Sequence, residues 1–241
     1  MYLIPDFIRK RADAEAFGII KFMEFAEKRV KPSDKVLDAG AGSNPYKRYF
    51  SHAKYESTDS SSENKHDFIC SLDKIPRPDS FFNVIINTQV LEHVEYPQKV
   101  INEFYRLLKP GGQLFLTAPQ GWGLHEEPHH FFNFTKYGLE SLFKHAGFKV
   151  IFIEPRGGIF WYLGYRIRTV PYYILSQYKG STEFKSRFLG YILFPVYFLA
   201  KPICEYLIPL FFFYLDRLDK KQGYTLGYSC YCVKNHGEDL K

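Results

Sequence analysis

The chain has 241 residues, 46% of them apolar and 24% charged, enough to bury a core without disulfides and too ordinary in composition for a disordered, collagenous or coiled-coil protein. A net charge of +6 is too small an excess to argue for nucleic-acid binding, so no nucleic-acid partner is expected. Aromatic content is the anomaly: of 24 Phe, 19 Tyr and 2 Trp, 18 fall within residues 159–215.

In chain order, Ile19, Phe22, Met23, Ala26 and Val30 recur at helical spacing, which predicts an amphipathic helix over residues 6–30, ended by Pro32 and Ser33. A short apolar strand follows from Lys35 and runs into a turn carrying Gly40 and Gly42. Short strands are expected over residues 53–58 and 67–70, and a stronger one over 81–86, where Val84, Ile85 and Ile86 stand together. Residues 96–108 place Val100, Ile101, Phe104, Leu107 and Leu108 on one helical face; Pro110, Gly111 and Gly112 stop that helix before a strand over 113–118. A helix over 135–146, ended by Gly147, leads to a strand over 148–154. This alternation of strand and helix predicts a mostly parallel α/β sheet covered on both faces.

Regularity ends at Pro155. Pro171, Pro195, Pro202 and Pro209 are expected to cut residues 157–222 into short helices, and residues 225–233 return as a late strand pairing with 148–154. The predicted organisation is a domain of residues 1–156 plus 223–241, interrupted by an aromatic helical insertion over 157–222. Within the insertion, residues 188–215 carry only two charges, Lys201 and Glu205, spaced to pair on a helix. Arg156, Arg166, Arg168, Lys179, Lys185 and Arg187 precede that stretch, with Glu183 as the one acid. Basic and aromatic side chains together point to a membrane surface, met by interfacial rather than spanning helices because three prolines and a charge pair interrupt the run. A helical cap or a dimer interface is the competing reading.

The first ten residues hold no apolar run of signal-peptide length, Asp6, Arg9 and Lys10 interrupting it. Cys70, Cys204, Cys230 and Cys232 form no CxxC pair and have no His partners at zinc-ligand spacing. Free thiols in a reducing compartment are expected, with the chain cytoplasmic and peripheral at the inner face of the membrane. Cys230 and Cys232 share one strand face and read as core packing.

In an open parallel sheet the ligand lies at the carboxyl ends of the strands, with the first βα turn as its floor. Gly40 and Gly42 suit that turn. Asp59, at the end of the second strand, suits hydrogen bonding to both hydroxyls of a ribose. Pro45 occupies the place where a dinucleotide fingerprint has its third glycine, which disfavours a dehydrogenase.

Five stretches in this order, Val36-Leu37-Asp38-Ala39-Gly40-Ala41-Gly42, Asp59, Ser80-Phe81-Phe82-Asn83-Val84-Ile85, Val90-Leu91-Glu92-His93-Val94 and Arg106-Leu107-Leu108-Lys109-Pro110-Gly111-Gly112, resemble the successive motifs of class I S-adenosylmethionine-dependent methyltransferases, most closely the type 11 group. The stretch from His125 to Leu139 is also similar to a sub-group associated with surface-polysaccharide or lipid biosynthesis. The resemblance covers residues 30–154. It implies a doubly wound, Rossmann-like, seven-stranded sheet and S-adenosyl-L-methionine as cofactor. It also implies that Asp38 orders the glycine turn and that Ala39, Gly40 and Gly42 contact the methionine portion. Asp59 would hold the ribose, Ser71 and Leu72 the adenine, and Asn87, Thr88 and Gln89 the sulfonium side. Two positions depart from the family pattern: Asn44 stands where a third glycine is frequent, and Ser71 where an Asp is common.

Methyl transfer needs alignment and exclusion of water, with no metal, and a general base when the acceptor is a hydroxyl. His125, Glu126, Glu127, His129 and His130 follow the fifth strand and are the candidates, with His125 and His129 taken as catalytic and His125 favoured because it comes first. Glu92 and His93 read as fixing a helix start. The expected activity is methylation, as O-methylation, of a small or amphiphilic acceptor such as a lipid-linked sugar or quinone precursor. The alternative is a non-catalytic cofactor-binding scaffold on the same fold.

Overall fold

Val36, Leu37 and Ala39 are all fully buried, so β1 (Lys35–Ala39) is a strand covered on both faces, with Asp38 as the one buried polar residue in its apolar run. In this computed structural model, which describes residues 5–178, 194–195 and 198–236, β1 is an interior strand of a seven-stranded sheet, beside its central strand. The remaining strands are β2 (Lys54–Asp59), β3 (Phe68–Ile69), β4 (Phe82–Thr88), β5 (Leu108–Pro119), β6 (Phe148–Pro155) and β7 (Gly227–Lys234). Their order is β3-β2-β1-β4-β5-β7-β6. All neighbours from β3 to β5 pair parallel, and β7 pairs antiparallel with both β5 and β6. The late strand therefore pairs with β6 as expected and also inserts between β6 and β5.

Strand alternation divides the core. Val36, Val84, Ile86 and Phe115 point to one face, where Ile19, Phe22, Met23 and Ala26 of α2 (Ala14–Glu27) and Phe50 of α3 (Lys47–Phe50) cover them. Leu37, Ile85, Leu114 and Leu116 point to the other, under Val100, Ile101 and Phe104 of α4 (Pro97–Leu107) and Leu139 and Phe143 of α5 (Lys136–His145). Each such Leu, Ile or Phe, once buried, contributes about 1.5–3 kcal/mol. Pro97 opens α4 with the fixed φ that suits a first turn. Thr135 caps α5 by accepting from the Gly138 amide at 3.1 Å. Cys230 and Cys232 are buried on the α4/α5 face, as their spacing predicts.

Three expectations are corrected. The single helix predicted over 6–30 is two, α1 (Asp6–Ala12) and α2, because Asp13 leaves helical geometry and its carboxylate caps the Ala16 amide at 3.1 Å. β5 starts at Leu108 rather than after the Pro-Gly-Gly run. Residues 109–112 bulge between the Phe82–Leu108 and Val84–Gln113 pairs, with Gly111 at φ +75. Third, the prolines do not cut the insertion into short pieces: α6 (Ile159–Tyr178) runs 20 residues with Pro171 inside it. A helical stretch Phe198–Leu218 passes Pro202 and Pro209, its backbone widening to a π turn (Ile203–Leu207) immediately before α7 (Ile208–Leu215). The missing amide of Pro209 falls where the ordinary ladder is already interrupted.

The chain divides into two compact units, one of residues 19–156 and 227–241 that holds the whole sheet, the other of residues 1–18 and 157–226. The first 18 residues thus group with the insertion rather than with the domain predicted for 1–156. Within this second unit, Asp13 pairs with Arg168 at 2.6 Å, and the Phe17 ring stands edge-on to both Trp161 and Phe213. The carboxylate of Asp216 accepts from the Gly158 and Trp161 amides, and Asp219 from Ile159 at 2.8 Å, so two acids cap the positive end of α6. Those backbone bonds hold the Asp219 carboxyl below its ordinary pKa. Lys201 and Glu205 stand 3.8 Å apart, as their spacing predicts.

On the second helical stretch Ile203, Leu207, Phe211, Tyr214 and Leu218 are all exposed and recur at one-face spacing. Phe198–Leu218 is long and apolar enough to cross a membrane, and only 6% of its most apolar window is buried. The expectations for Lys179, Glu183, Lys185 and Arg187, for residues 188–193 and 196–197, and for the first four residues of the chain lie outside the described residues.

Candidate active site

The carboxyl ends of β1, β2 and β4 surround the glycine turn. Gly40 and Ala41 donate to the Thr58 carbonyl at 2.9 and 3.0 Å, tying the turn to β2. Gly40, Gly42 and Asn44 have φ of +78, +51 and +58, the left-handed region that glycine enters freely and asparagine tolerates. A Cβ on Gly40 would stand 2.6 Å from both methyls of Val90, whereas one on Gly42 would meet nothing within 4 Å. One glycine permits close packing against the β4 side; the other leaves bare backbone facing open space.

That space is a cavity of about 690 Å³, within the usual range for small-molecule sites. Gly40, Gly42, Asp59, Ser71, Leu72, Gln89 and His129 of the predicted set line it. Asp59, ending β2, accepts from the Gly42 amide through Oδ2 at 2.8 Å and from the Ser61 amide through Oδ1 at 3.0 Å. Its carboxylate is thereby aimed and keeps lone pairs for further donors. Ser71 donates to Asp73 Oδ1 at 2.6 Å, and Asp73 lines the same wall. A carboxylate therefore reaches that wall from two positions beyond Ser71.

Asp38, Ala39, Asn87 and Thr88 support the cavity rather than line it. Tyr55 Oη donates to Asp38 Oδ2 at 2.7 Å and lies 3.2 Å from Asn44 Oδ1, linking β2, β1 and the glycine turn. Burial raises the Asp38 carboxyl to about 6, the Tyr55 bond opposing and the nearby Asp59 adding to the rise. Asn87 Nδ2 donates to the Ala39 carbonyl at 2.8 Å. Asn87 Oδ1 and Thr88 Oγ1 are buried without a hydrogen-bond partner among the described residues. Gln89 holds φ +54, and its side-chain oxygen, oriented as its neighbours require, accepts from Arg156 Nη2 at 2.9 Å.

The opposite wall comes from the turn Leu91–His93 and the loop after β5. His93, Glu126, His129 and Phe131 line the cavity. The Glu92 carbonyl accepts from the Phe131 and Phe132 amides, and His93 Nδ1 lies 2.8 Å from the His129 carbonyl, so turn and loop are joined. His125 is not on the cavity lining. Its ring stands 4.8 Å from that of His93 and its Nδ1 3.0 Å from the Gly123 carbonyl. Position directly after the strand thus does not put His125 nearest the cavity; His93, read from sequence as fixing a helix start, is there instead. His130 is held below its usual pKa by burial and by the neighbouring His125 and His93. Asp73, Tyr55, Arg156 and His93 are the site residues that sequence reasoning missed or placed in another role.

A glycine turn open to a cavity and a fixed carboxylate at the end of β2 together define a nucleoside-binding α/β site at a sheet's carboxyl edge. These residues suit S-adenosylmethionine: the glycine turn for its methionine portion, Asp59 for its ribose, and Ser71, Leu72 and Asp73 for its base. Residues 8–152 match the family profile of a methyltransferase domain, Methyltransf_23, and the chain belongs to that family. A probable S-adenosylmethionine-dependent methyltransferase of Mycolicibacterium smegmatis is 30% identical over 96 residues, 37% of this chain and 36% of that protein. Among solved structures, the [4+2]-cyclase SpnF superposes with a TM-score of 0.59 at 15% identity, covering 92% of this chain and 82% of that one. Phosphoethanolamine N-methyltransferase 2 of Haemonchus contortus, in complex with S-adenosyl-L-methionine, gives 0.51 at 16% identity, covering 88% and 52%. At these identities the two structures speak to the fold, and the first shows that it also hosts chemistry other than methyl transfer.

Proposed function

We propose that this chain is an S-adenosylmethionine-dependent methyltransferase that O-methylates an amphiphilic acceptor at the cytoplasmic face of a membrane. The observation that carries the reading is a single cavity in which a glycine turn and the Asp59 carboxylate face an imidazole-bearing loop. When bound, S-adenosylmethionine supplies an electrophilic methyl group on a sulfonium, whose charge makes the sulfide a good leaving group. The chain's part is to hold the acceptor oxygen in line, exclude water and receive one proton. His129, on the cavity lining, receives that proton at its ring as the O–C bond forms. Gln89, fixed by Arg156, and Phe131 shape the space between the two halves.

Support for an amphiphilic acceptor comes from the second unit. The exposed apolar stripe from Ile203 to Leu218 ends beside Arg217, Lys220 and Lys221, the pattern of an interfacial helix with cations at headgroup level. Incubation of the protein with methyl-labelled S-adenosylmethionine and separate lipid and aqueous extracts of the source cell tests the proposal. Label enters the lipid extract, and His129→Ala lowers its rate by roughly 10² or more while cofactor affinity is kept. Label confined to aqueous acceptors would overturn the amphiphile reading. No label in either extract, despite cofactor binding, would favour a scaffold.

A further inference from the structure

The histidine-rich wall contains groups that the methyl-transfer reading leaves without a task. We propose that Glu92, His93 and His125 form a binding site for a divalent transition-metal ion of the zinc class. One donor atom from each of the three lies within 4.8 Å of the other two. Around a tetrahedral ion bound at about 2.0–2.1 Å, donors stand about 3.4 Å apart, so the set is open by roughly an ångström. Side-chain rotation of the half-exposed His125 can close that distance.

One nitrogen of each ring is anchored on a backbone carbonyl. His93 Nδ1 is 2.8 Å from the His129 carbonyl and His125 Nδ1 is 3.0 Å from the Gly123 carbonyl. A carbonyl only accepts, so each Nδ1 carries the proton and Nε2 is the nitrogen left to ligate; Nε2 of His93 also stands 3.8 Å from Glu126 Oε2. Anchoring of the outer nitrogen on a backbone carbonyl is the arrangement that fixes a metal-bound imidazole. Glu92 is 1% exposed, so an ion bound there would be shielded from bulk solvent on that side. The His130 ring lies 4.2 Å from that of His125. It is a fourth imidazole within reach of the set.

Two imidazoles and a carboxylate select zinc, cobalt or nickel over the all-oxygen preference of magnesium and calcium. The ligands come from two segments, the turn Leu91–His93 and the loop after β5, which form the wall facing the glycine turn. An ion there would pin the acceptor side of the cavity and leave the Asp59 side untouched. Sequence spacing hides the set because 31 residues separate His93 from His125 and no cysteine takes part.

The test uses the untagged full chain stripped with a chelator, titrated with Zn²⁺ and, in parallel, with Co²⁺ followed by its visible spectrum. One equivalent of either ion is expected to bind, with intense tetrahedral cobalt bands. Affinity should fall at least 10²-fold in His93→Asn and in His125→Asn, and His145→Ala, on the remote face of α5, should bind as wild type. Far-ultraviolet circular dichroism and an unfolding midpoint like those of wild type show that the two Asn variants are folded. Absence of stoichiometric binding, or equal affinity in the double Asn variant, would overturn the site. Neither result bears on methyl-group transfer, which is read separately from label.

Discussion

Asp38 carries the main electrostatic cost in the cofactor-facing half of the domain. Its carboxyl is raised from 3.8 to about 6 in the folded chain, so between those values the folded state binds a proton that the unfolded state has lost. Stability at this group is therefore highest at and below pH ~4 and falls as pH rises to about 6, by about 3 kcal/mol in all. Asp38→Asn keeps an acceptor for Tyr55 and removes the charge. Urea unfolding is expected to find the variant more stable than wild type at pH 7.5, with the difference vanishing near pH 4. An equal difference at both pH values would contradict the account. Asp38 came from the resemblance to the family's motifs, and Gly40, Gly42 and Asp59 from the strand, turn and strand end that carry them; the left-handed turn and the Asp59 carboxylate lie at those places. Tyr55 and His93 could not be read from sequence, because their roles come from partners on other elements, Asp38 and Asn44 for one and the His129 carbonyl for the other; the Ser71–Asp73 bond is local but leaves no mark in a hydrophobic pattern.

At the scale of elements, β1, β4, α4 and α5 were legible because the strands carry a short apolar run, Val36-Leu37 and Val84-Ile85-Ile86, and the helices an apolar face recurring at helical spacing. Asp13 split the first helix by local capping, which a hydrophobic pattern does not register. Pro171 and Pro209 proved weaker punctuation than their chemistry suggests, since one sits within a 20-residue helix and the other follows a π turn. The resulting uninterrupted stripe has a testable consequence. Leu207 and Phe211, four residues apart, are 59% and 62% exposed, so acidic substitutions there cost the fold little. Wild type is expected to float with anionic lipid vesicles, less so at high salt, and the double variant Leu207→Asp/Phe211→Asp to stay in the soluble fraction. Equal flotation of both proteins would contradict docking through this stripe.

For the molecule as a whole, the alternation of strand and helix from Lys35 to Pro155 was enough to give the mostly parallel sheet, and residues 225–233 the late strand beside β6; its antiparallel direction and its place between β5 and β6 come from the structure. The alternation could not place the first 18 residues with the insertion, because the Asp13–Arg168 pair and the Phe17 ring contacts join segments about 150 residues apart. The central claim concerns the sheet's carboxyl edge: that a glycine turn and Asp59 form an S-adenosylmethionine site. Isothermal titration of the purified chain with S-adenosylmethionine tests it most directly, with Asp59→Ala beside wild type. Loss of two charge-assisted bonds to a ribose, about 3 kcal/mol or more together, predicts one site per chain and affinity at least ~10²-fold weaker in the variant. No binding by wild type, or equal binding by both proteins, would contradict the account.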